Sequence, residues 1–145
     1  MSLLALSRPE FPLFLHVLGA MVLVGAVATA SVAALTAGRS AAADEAMRRF
    51  ALRALLIFAL PAYIVMRVGA EWIRSKEFGD LEEPGWIGVG YATADIGALL
   101  LLIAIILAWL GSRRGSSKLT RTAGAISVLL TLAWLVTVWA MAGKP

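Results

Sequence analysis

Residues 54–72, with the sequence ALLIFALPAYIVMRVGAEW, decide the fold of this chain. As a helix rising 1.5 Å per residue, this segment is long and apolar enough to cross most of a ~30 Å hydrocarbon core. It also carries Tyr63, Arg67 and Glu71 at intervals of four residues, which places them on one face of the helix. Because a charge inside a bilayer costs at least ~2.5–3.5 kcal/mol, this polar ridge needs a partner or water.

The overall composition places the chain in the membrane class. Hydrophobic residues make up 61% of its 145 residues, and the mean hydropathy is +0.87. Soluble domains contain only about 45–50% apolar residues. Predominantly apolar runs lie at 11–36, 54–72, 86–110 and 122–141. The predicted fold is therefore all-α: a polytopic membrane protein whose single domain is an antiparallel four-helix transmembrane bundle in the lipid bilayer.

Several functional classes are excluded by side chains that the chain lacks. It has no cysteine, so disulfides, thiolate metal sites, iron–sulfur clusters and cysteine nucleophiles cannot occur. His16 is the single histidine, so one chain cannot supply both axial histidines of a haem. The sequence contains no P-loop, dinucleotide fingerprint, HExxH or GxSxG motif, and no carboxylate cluster within a span predicts a metal site. These absences favour a binding or accessory protein over an enzyme.

The basic residues predict an orientation in a bacterial plasma membrane. Eight lysines and arginines flank the first–second and third–fourth connections, and four lie on the opposite side. The larger group comprises Arg39, Arg48, Arg49, Arg53, Arg113, Arg114, Lys118 and Arg121, and the smaller comprises Arg8, Arg74, Lys76 and Lys144. This asymmetry predicts both termini on the outer, non-cytoplasmic side, with Trp72, Trp86 and Trp139 at that interface. Topology also explains the net charge of +4, so nucleic acid is not an expected partner.

Local features are expected within the spans and between them. The basic stretch before residue 54 is predicted to form a loop. Pro61 is predicted to kink the second helix, because it cannot donate a hydrogen bond to Ile57. Small residues of the first helix form two rows that would let another helix approach closely. These rows are Ala26, Ala30 and Ala34, and Gly25, Thr29 and Ala33.

Ionisable residues within the spans converge on one level of the bundle. Only thirteen uncharged residues separate Arg67 from Arg53, so Arg67 lies in the membrane or at its edge. His16 and Asp95 lie in the outer parts of their own helices. Because side chains lean toward the N-terminus of their helix, Arg67 leans inward, whereas His16 and Asp95 lean outward. The three side chains are therefore expected at a similar depth.

These positions predict an ion pair between Arg67 and Asp95, buried among the helices. Tyr91 precedes Asp95 by four residues and lies on the same helix face. A second possibility is that Arg67 extends to the surface and pairs with Glu71 alone. The candidate ligand-binding residues are therefore His16, Tyr63, Arg67, Glu71, Tyr91 and Asp95.

The first helix contains Phe14-Leu15-His16-Val17-Leu18-Gly19-Ala20, followed by Gly25. This pattern resembles that of a family of small bacterial integral membrane proteins, predicted to have four helices and a histidine in helix one. It is more distantly similar to CopD-type copper-resistance proteins and HemJ-type protoporphyrinogen oxidases. The resemblance implies a haem- or metal-proximal role for His16. The chain departs from the copper and haem proteins because it has no second histidine, no cysteine and no methionine-rich segment.

Three functional interpretations are open on the sequence. The first is a binding or accessory protein whose polar cluster contacts a partner subunit, a lipid or a small ligand, in a homo-oligomer or larger membrane complex. The second is a haem-binding redox protein or enzyme that uses His16. The third is an oligomeric transporter or proton-conducting subunit, although the polar residues stop in the outer half. The cluster could equally hold the helices in register without binding anything.

Overall fold

The computed structural model describes residues 10–77 and 85–142. Its elements are α1 (Glu10–Thr36), α2 (Ala41–Arg53), a π-helical segment (Ala54–Ala59), α3 (Leu60–Glu77), α4 (Gly85–Arg114) and α5 (Ser117–Ala142). The three elements from α2 to α3 follow one another without a break, so the chain forms four long rods. All four are long and apolar enough to cross a membrane, and the described residues contain no strand. The predicted all-α four-helix class is confirmed.

The basic stretch before residue 54 is helical, so the prediction of a loop there is wrong. Ser40 caps α2, because its hydroxyl accepts a hydrogen bond from the Ala43 amide at 3.3 Å. Within α2, Arg48 pairs with Asp44 and also, at 2.7 Å, with Glu45. Pairs three and four residues apart stabilise a helix. Because Arg48 is only 7% exposed, its two acidic partners also neutralise a charge that is packed against the bundle.

The disruption expected at Pro61 takes the form of a π-helical segment. Pro61 cannot donate the hydrogen bond that Ile57 would accept in an α-helix. The π-helical segment precedes it, and there the Leu60 amide donates to the Leu55 carbonyl, five residues back. The missing donor is thus accommodated by a stretch of wider hydrogen-bond spacing, and the rod remains helical on both sides.

Two glycines bring α1 and α3 into backbone contact. A Cβ atom added to Gly19 would lie 2.5 Å from the Met66 nitrogen. One added to Gly69 would lie 2.6 Å from the His16 nitrogen. No side chain fits between these backbones, so glycine at both positions permits the close crossing of the two helices.

The two rows of small residues on α1 have different environments. Ala30 and Ala34 are buried, and a Cβ atom added to Gly124 of α5 would lie 2.9 Å from the Ala34 Cβ. This row is therefore a helix-packing surface. In the other row, Gly25 and Thr29 are exposed, and nothing lies within 4 Å of a Cβ atom added to Gly25.

Apolar side chains fill the centre of the bundle and also cover its exterior. One leucine from each rod, 1% exposed in every case, lies in the centre: Leu23, Leu55, Leu101 and Leu130. Large exposed residues cover the outside, among them Met21, Ile96 and Trp139. A helix that is apolar on all sides suits a membrane span, because lipid replaces water around it.

The second rod and α4 lie close together in one half of the bundle and separate in the other. α1 lies between the second rod and α5, and α5 packs against α4. α4 approaches the second rod at α2 and the π-helical segment, whereas α3 makes few close backbone approaches to α4. We call the half with the α1–α2 and α4–α5 connections the connection half, and the splayed half the terminal half.

The side of the membrane on which each half lies remains a prediction. Arg8, Lys144 and the Trp86 side chain, which contributed to that prediction, lie outside the described residues, as does the acidic connection at 78–84.

Candidate functional site

An ion pair joins α3 to α4 in the terminal half. Arg67 places its Nη2 atom 3.1 Å from Asp95 Oδ1 and 3.6 Å from Glu71 Oε1. The predicted pairing of Arg67 with Asp95 is therefore present, and Arg67 contacts Glu71 as well. Because α3 and α4 make few close backbone approaches, this pair is one of the few links between them.

The ion pair lies at the surface of the bundle, so the prediction that it is buried is wrong. The side chains of Asp95 and Arg67 are 64% and 27% exposed. The rotation of α4 explains the difference. Gly97 faces inward against the Trp134 indole, and a Cβ atom added to Gly97 would lie 2.8 Å from Trp134 Nε1. Residues two positions apart on an α-helix project about 160° away from each other, so residue 95 lies on nearly the opposite side of α4 from Gly97, away from Trp134.

Two tyrosines reinforce the link between α3 and α4. The Tyr63 hydroxyl donates a hydrogen bond to the Ala94 carbonyl at 3.2 Å. Tyr91 lies against the Arg67 guanidinium, whose Cζ is 4.4 Å from the centre of the ring. A cation over an aromatic ring is attracted by its negative face. Tyr91 therefore lies beside Arg67, as the sequence predicts, and Tyr63 contacts α4 one residue before Asp95.

Arg74 belongs to the same cluster, and sequence reasoning missed it. Its Cζ lies 5.5 Å from the centre of the Tyr91 ring, and its Nη1 lies 3.7 Å from Glu71 Oε2. Arg74 follows Glu71 by three residues and Arg67 by seven, so helical spacing could have included it. In the sequence analysis Arg74 contributes only to the count of basic residues that predicts the orientation.

His16 links a different pair of helices. Its Nδ1 lies 3.0 Å from the Met66 carbonyl oxygen, which joins α1 to α3. Because a carbonyl can only accept, we assign the proton to Nδ1, and the neutral ring then has an unprotonated Nε2. His16 and Arg67 line the same cavity, but the hydrogen bond of His16 is with the Met66 carbonyl and not with Arg67.

An elongated cavity of about 440 Å³ occupies the terminal half between all four rods. On α1 its lining extends from Leu13 to Val24, a distance of roughly 16 Å at the helical rise. Leu23 and Trp134 lie toward the connection half, and Ile87 lies toward the other end. Most of the lining is apolar. The cavity results from the separation of α3 from α4, which no local sequence pattern predicts.

Among the residues that the structure describes, the two charged side chains that line the cavity are both cationic. Arg67 and Arg74 contribute to its wall, whereas Glu71 and Asp95 do not. Both ion-pair contacts of Arg67 use Nη2, so Nη1 and Nε have no acceptor among residues 10–77 and 85–142. The wall therefore combines a large apolar surface with guanidinium groups.

Within the described part of the chain, no group of three or more histidine, cysteine, aspartate or glutamate residues could hold a metal ion. Comparison with known protein families, curated proteins and solved structures finds no match to this chain. The architecture is that of a multi-pass membrane bundle with a cationic, largely apolar cavity in its terminal half.

Proposed function

We propose that this protein binds an acidic, single-chain amphiphile in the terminal-half cavity. The observation that carries the proposal is the unequal distribution of charge around the cavity. Arg67 and Arg74 line it, whereas Glu71, which contacts both, and Asp95, which contacts Arg67, are not among the described lining residues. An anionic head group would therefore meet two guanidinium groups, while an apolar body would fill the remainder.

The shape of the cavity favours one narrow chain. It is elongated, with a volume of about 440 Å³ over a length of roughly 16 Å, and most of its lining is apolar. These dimensions suit one extended hydrocarbon chain.

The side chain of Arg67 is held in place by two carboxylates and by Tyr91, which itself lines the cavity. Asp95 and Glu71 contact its Nη2, and the Tyr91 ring packs on the guanidinium. Ordering a flexible arginine on binding costs about 0.5–1.5 kcal/mol, and this arrangement reduces that loss. Nη1 and Nε keep N–H donors with which a carboxylate or phosphate could form charge-assisted hydrogen bonds.

Binding of palmitate and hexadecanol to the purified protein in neutral detergent, measured by native mass spectrometry, tests the proposal. The two probes share one chain and differ in charge. We expect palmitate to bind at least tenfold more tightly, and Arg67→Gln to remove that preference. Arg113→Gln is the control, because Arg113 lies over the Trp109 ring at the opposite end of α4 and lines no part of this cavity.

Equal affinity for acid and alcohol would contradict the proposal, as would an equal loss of preference in both variants. Circular dichroism of each variant checks that the helices persist. Ala20→Phe, which places a ring in the cavity from α1, should weaken binding of both probes.

A second candidate function is haem binding at His16. The observation in its favour is the hydrogen bond of Nδ1 with the Met66 carbonyl, because metal-bound histidines commonly donate their other N–H to such a group. His16 also lines the cavity, where Arg67 and Arg74 could accommodate the carboxylates of a haem. An absorption spectrum after haem supplementation tests this candidate. A Soret band that His16→Ala abolishes would support it, and a wild-type protein without that band would exclude it.

A further inference from the structure

A second apolar groove lies on the outside of the connection half. Its volume is about 540 Å³, and it runs between α1 and the junction of α2 with the π-helical segment. Small residues of α1, namely Gly25, Ala26 and Thr29, line one side. Phe50 and Phe58 line the other. The groove shares no lining residue with the cavity of the terminal half.

The surface of this groove is apolar and uncovered in the described chain. Phe50 and Phe58 are 48% and 58% exposed, and the space beside Gly25 is open. The Thr29 hydroxyl donates a hydrogen bond to the Gly25 carbonyl at 2.7 Å, so it needs no further acceptor. A hydrocarbon chain therefore matches this surface better than a polar molecule does.

Arg53 is the one charged residue among those that line the groove. It is the last charged residue before the apolar run 54–66, so it marks the depth at which the second rod enters the hydrocarbon layer. The other arginines of α2, Arg48 and Arg49, pair with acidic residues of the same helix. Arg53 has no carboxylate partner among residues 10–77 and 85–142. A positive charge thus lies at head-group depth at the end of an apolar groove.

We propose that this groove is a binding site for an anionic phospholipid. The phosphate contacts Arg53, and one acyl chain lies along Gly25 and Phe58. A basic residue near the membrane surface contributes about 1 kcal/mol to the binding of an acidic lipid, which corresponds to about fivefold in affinity. An anionic phospholipid matches the groove in three respects: its phosphate matches the charge of Arg53, its head group lies at the depth of Arg53, and its acyl chain matches the apolar surface.

Titration of the whole chain in neutral detergent with phosphatidylglycerol or phosphatidylcholine of the same chains, followed by native mass spectrometry, tests the site. We expect about fivefold tighter binding of phosphatidylglycerol. Arg53→Gln should abolish this preference. Arg121→Gln, which removes an exposed positive charge from α5 in the same half, should retain it. Gly25→Leu fills the open space of the groove and should weaken binding of both lipids several-fold.

Three results would overturn the proposal. One is a wild-type protein that binds both lipids equally, and another is the same loss of preference in Arg53→Gln and Arg121→Gln. The third is a folded Gly25→Leu protein with unchanged affinity for both lipids. If the wild-type protein is a dimer and Gly25→Leu converts it to monomers, the groove is instead a contact surface between copies of the chain.

Discussion

The link between Arg67 and Asp95 makes a quantitative prediction about stability. Asp95→Ala leaves Arg67 with Glu71 at 3.6 Å, so the guanidinium keeps a counter-ion. Polar contacts between membrane helices contribute ~0.6 kcal/mol on average and up to ~1.7 kcal/mol. Because the contact is short, at 3.1 Å, but Asp95 is 64% exposed, we expect a loss of about 1 kcal/mol.

Arg67→Ala should be more destabilising than Asp95→Ala. It leaves Asp95 without the guanidinium that it contacts, whereas Glu71 keeps its contact with Arg74 at 3.7 Å. An unpaired charge within a membrane span costs roughly 2.5–3.5 kcal/mol at the centre of the bilayer and less near its edge. We therefore expect a loss of about 2 kcal/mol for Arg67→Ala.

Unfolding by SDS in mixed micelles measures these free energies for the wild type, the two single variants and the double variant. The double variant should lose about 1 kcal/mol less than the sum of the single losses, since the contact can be removed only once. A coupling below about 0.3 kcal/mol would refute the view that this pair links α3 to α4. The more exposed contact of Arg74 with Glu71, at 3.7 Å, serves as the reference cycle and should couple by less than about 0.5 kcal/mol.

Three further predictions concern the rest of the bundle. Gly69→Ala should lower the free energy of thermal or SDS unfolding by about 1–3 kcal/mol, because the added methyl group would meet the α1 backbone. Gly25→Ala is the control and should leave stability unchanged, because the space beside Gly25 is open. Arg48→Ala should cost about 3 kcal/mol in the same measurement, because Arg48 is only 7% exposed and its ion pairs are partly buried. Arg49→Ala should cost less than about 1 kcal/mol, because Arg49 lies on the exposed face of the helix. Tyr91→Phe should leave stability unchanged or slightly raised, since its hydroxyl is buried without a hydrogen-bond partner in the described chain; a loss above about 1 kcal/mol would contradict this.

The architecture and the main ion pair could be predicted because the bilayer imposes strong constraints. Apolar runs of sufficient length identify the spans, and the cost of a charge in lipid requires a partner for Arg67. Asp95 was the acidic residue on a neighbouring span at a similar depth. The identity of the partner therefore followed from depth and charge alone.

The burial of the pair and the existence of the cavity could not be predicted in the same way. The exposure of Asp95 depends on the rotation of α4, which is set by the packing of Gly97 against Trp134. The cavity depends on the separation of α3 from α4, which reflects contacts of all four rods. The α2 helix is harder to predict because charged residues between two spans are typical of a loop, although the spacing of pairs such as Arg48 with Glu45 suits a helix.

The π-helical segment has a consequence for how this chain could change by insertion and deletion. An α-helix advances 100° per residue, and a π turn contains one residue more than an α turn. Because the wider turn covers about the same rotation, deleting one residue from Ala54–Ala59 would restore an unbroken α-helix and leave the part after it facing nearly the same way. Converting the segment to α-helix with all six residues retained would instead turn everything after it by about 100°, and Arg67 would then face away from α4. The wider turn thus takes up one residue without changing which helix the far end of the rod faces.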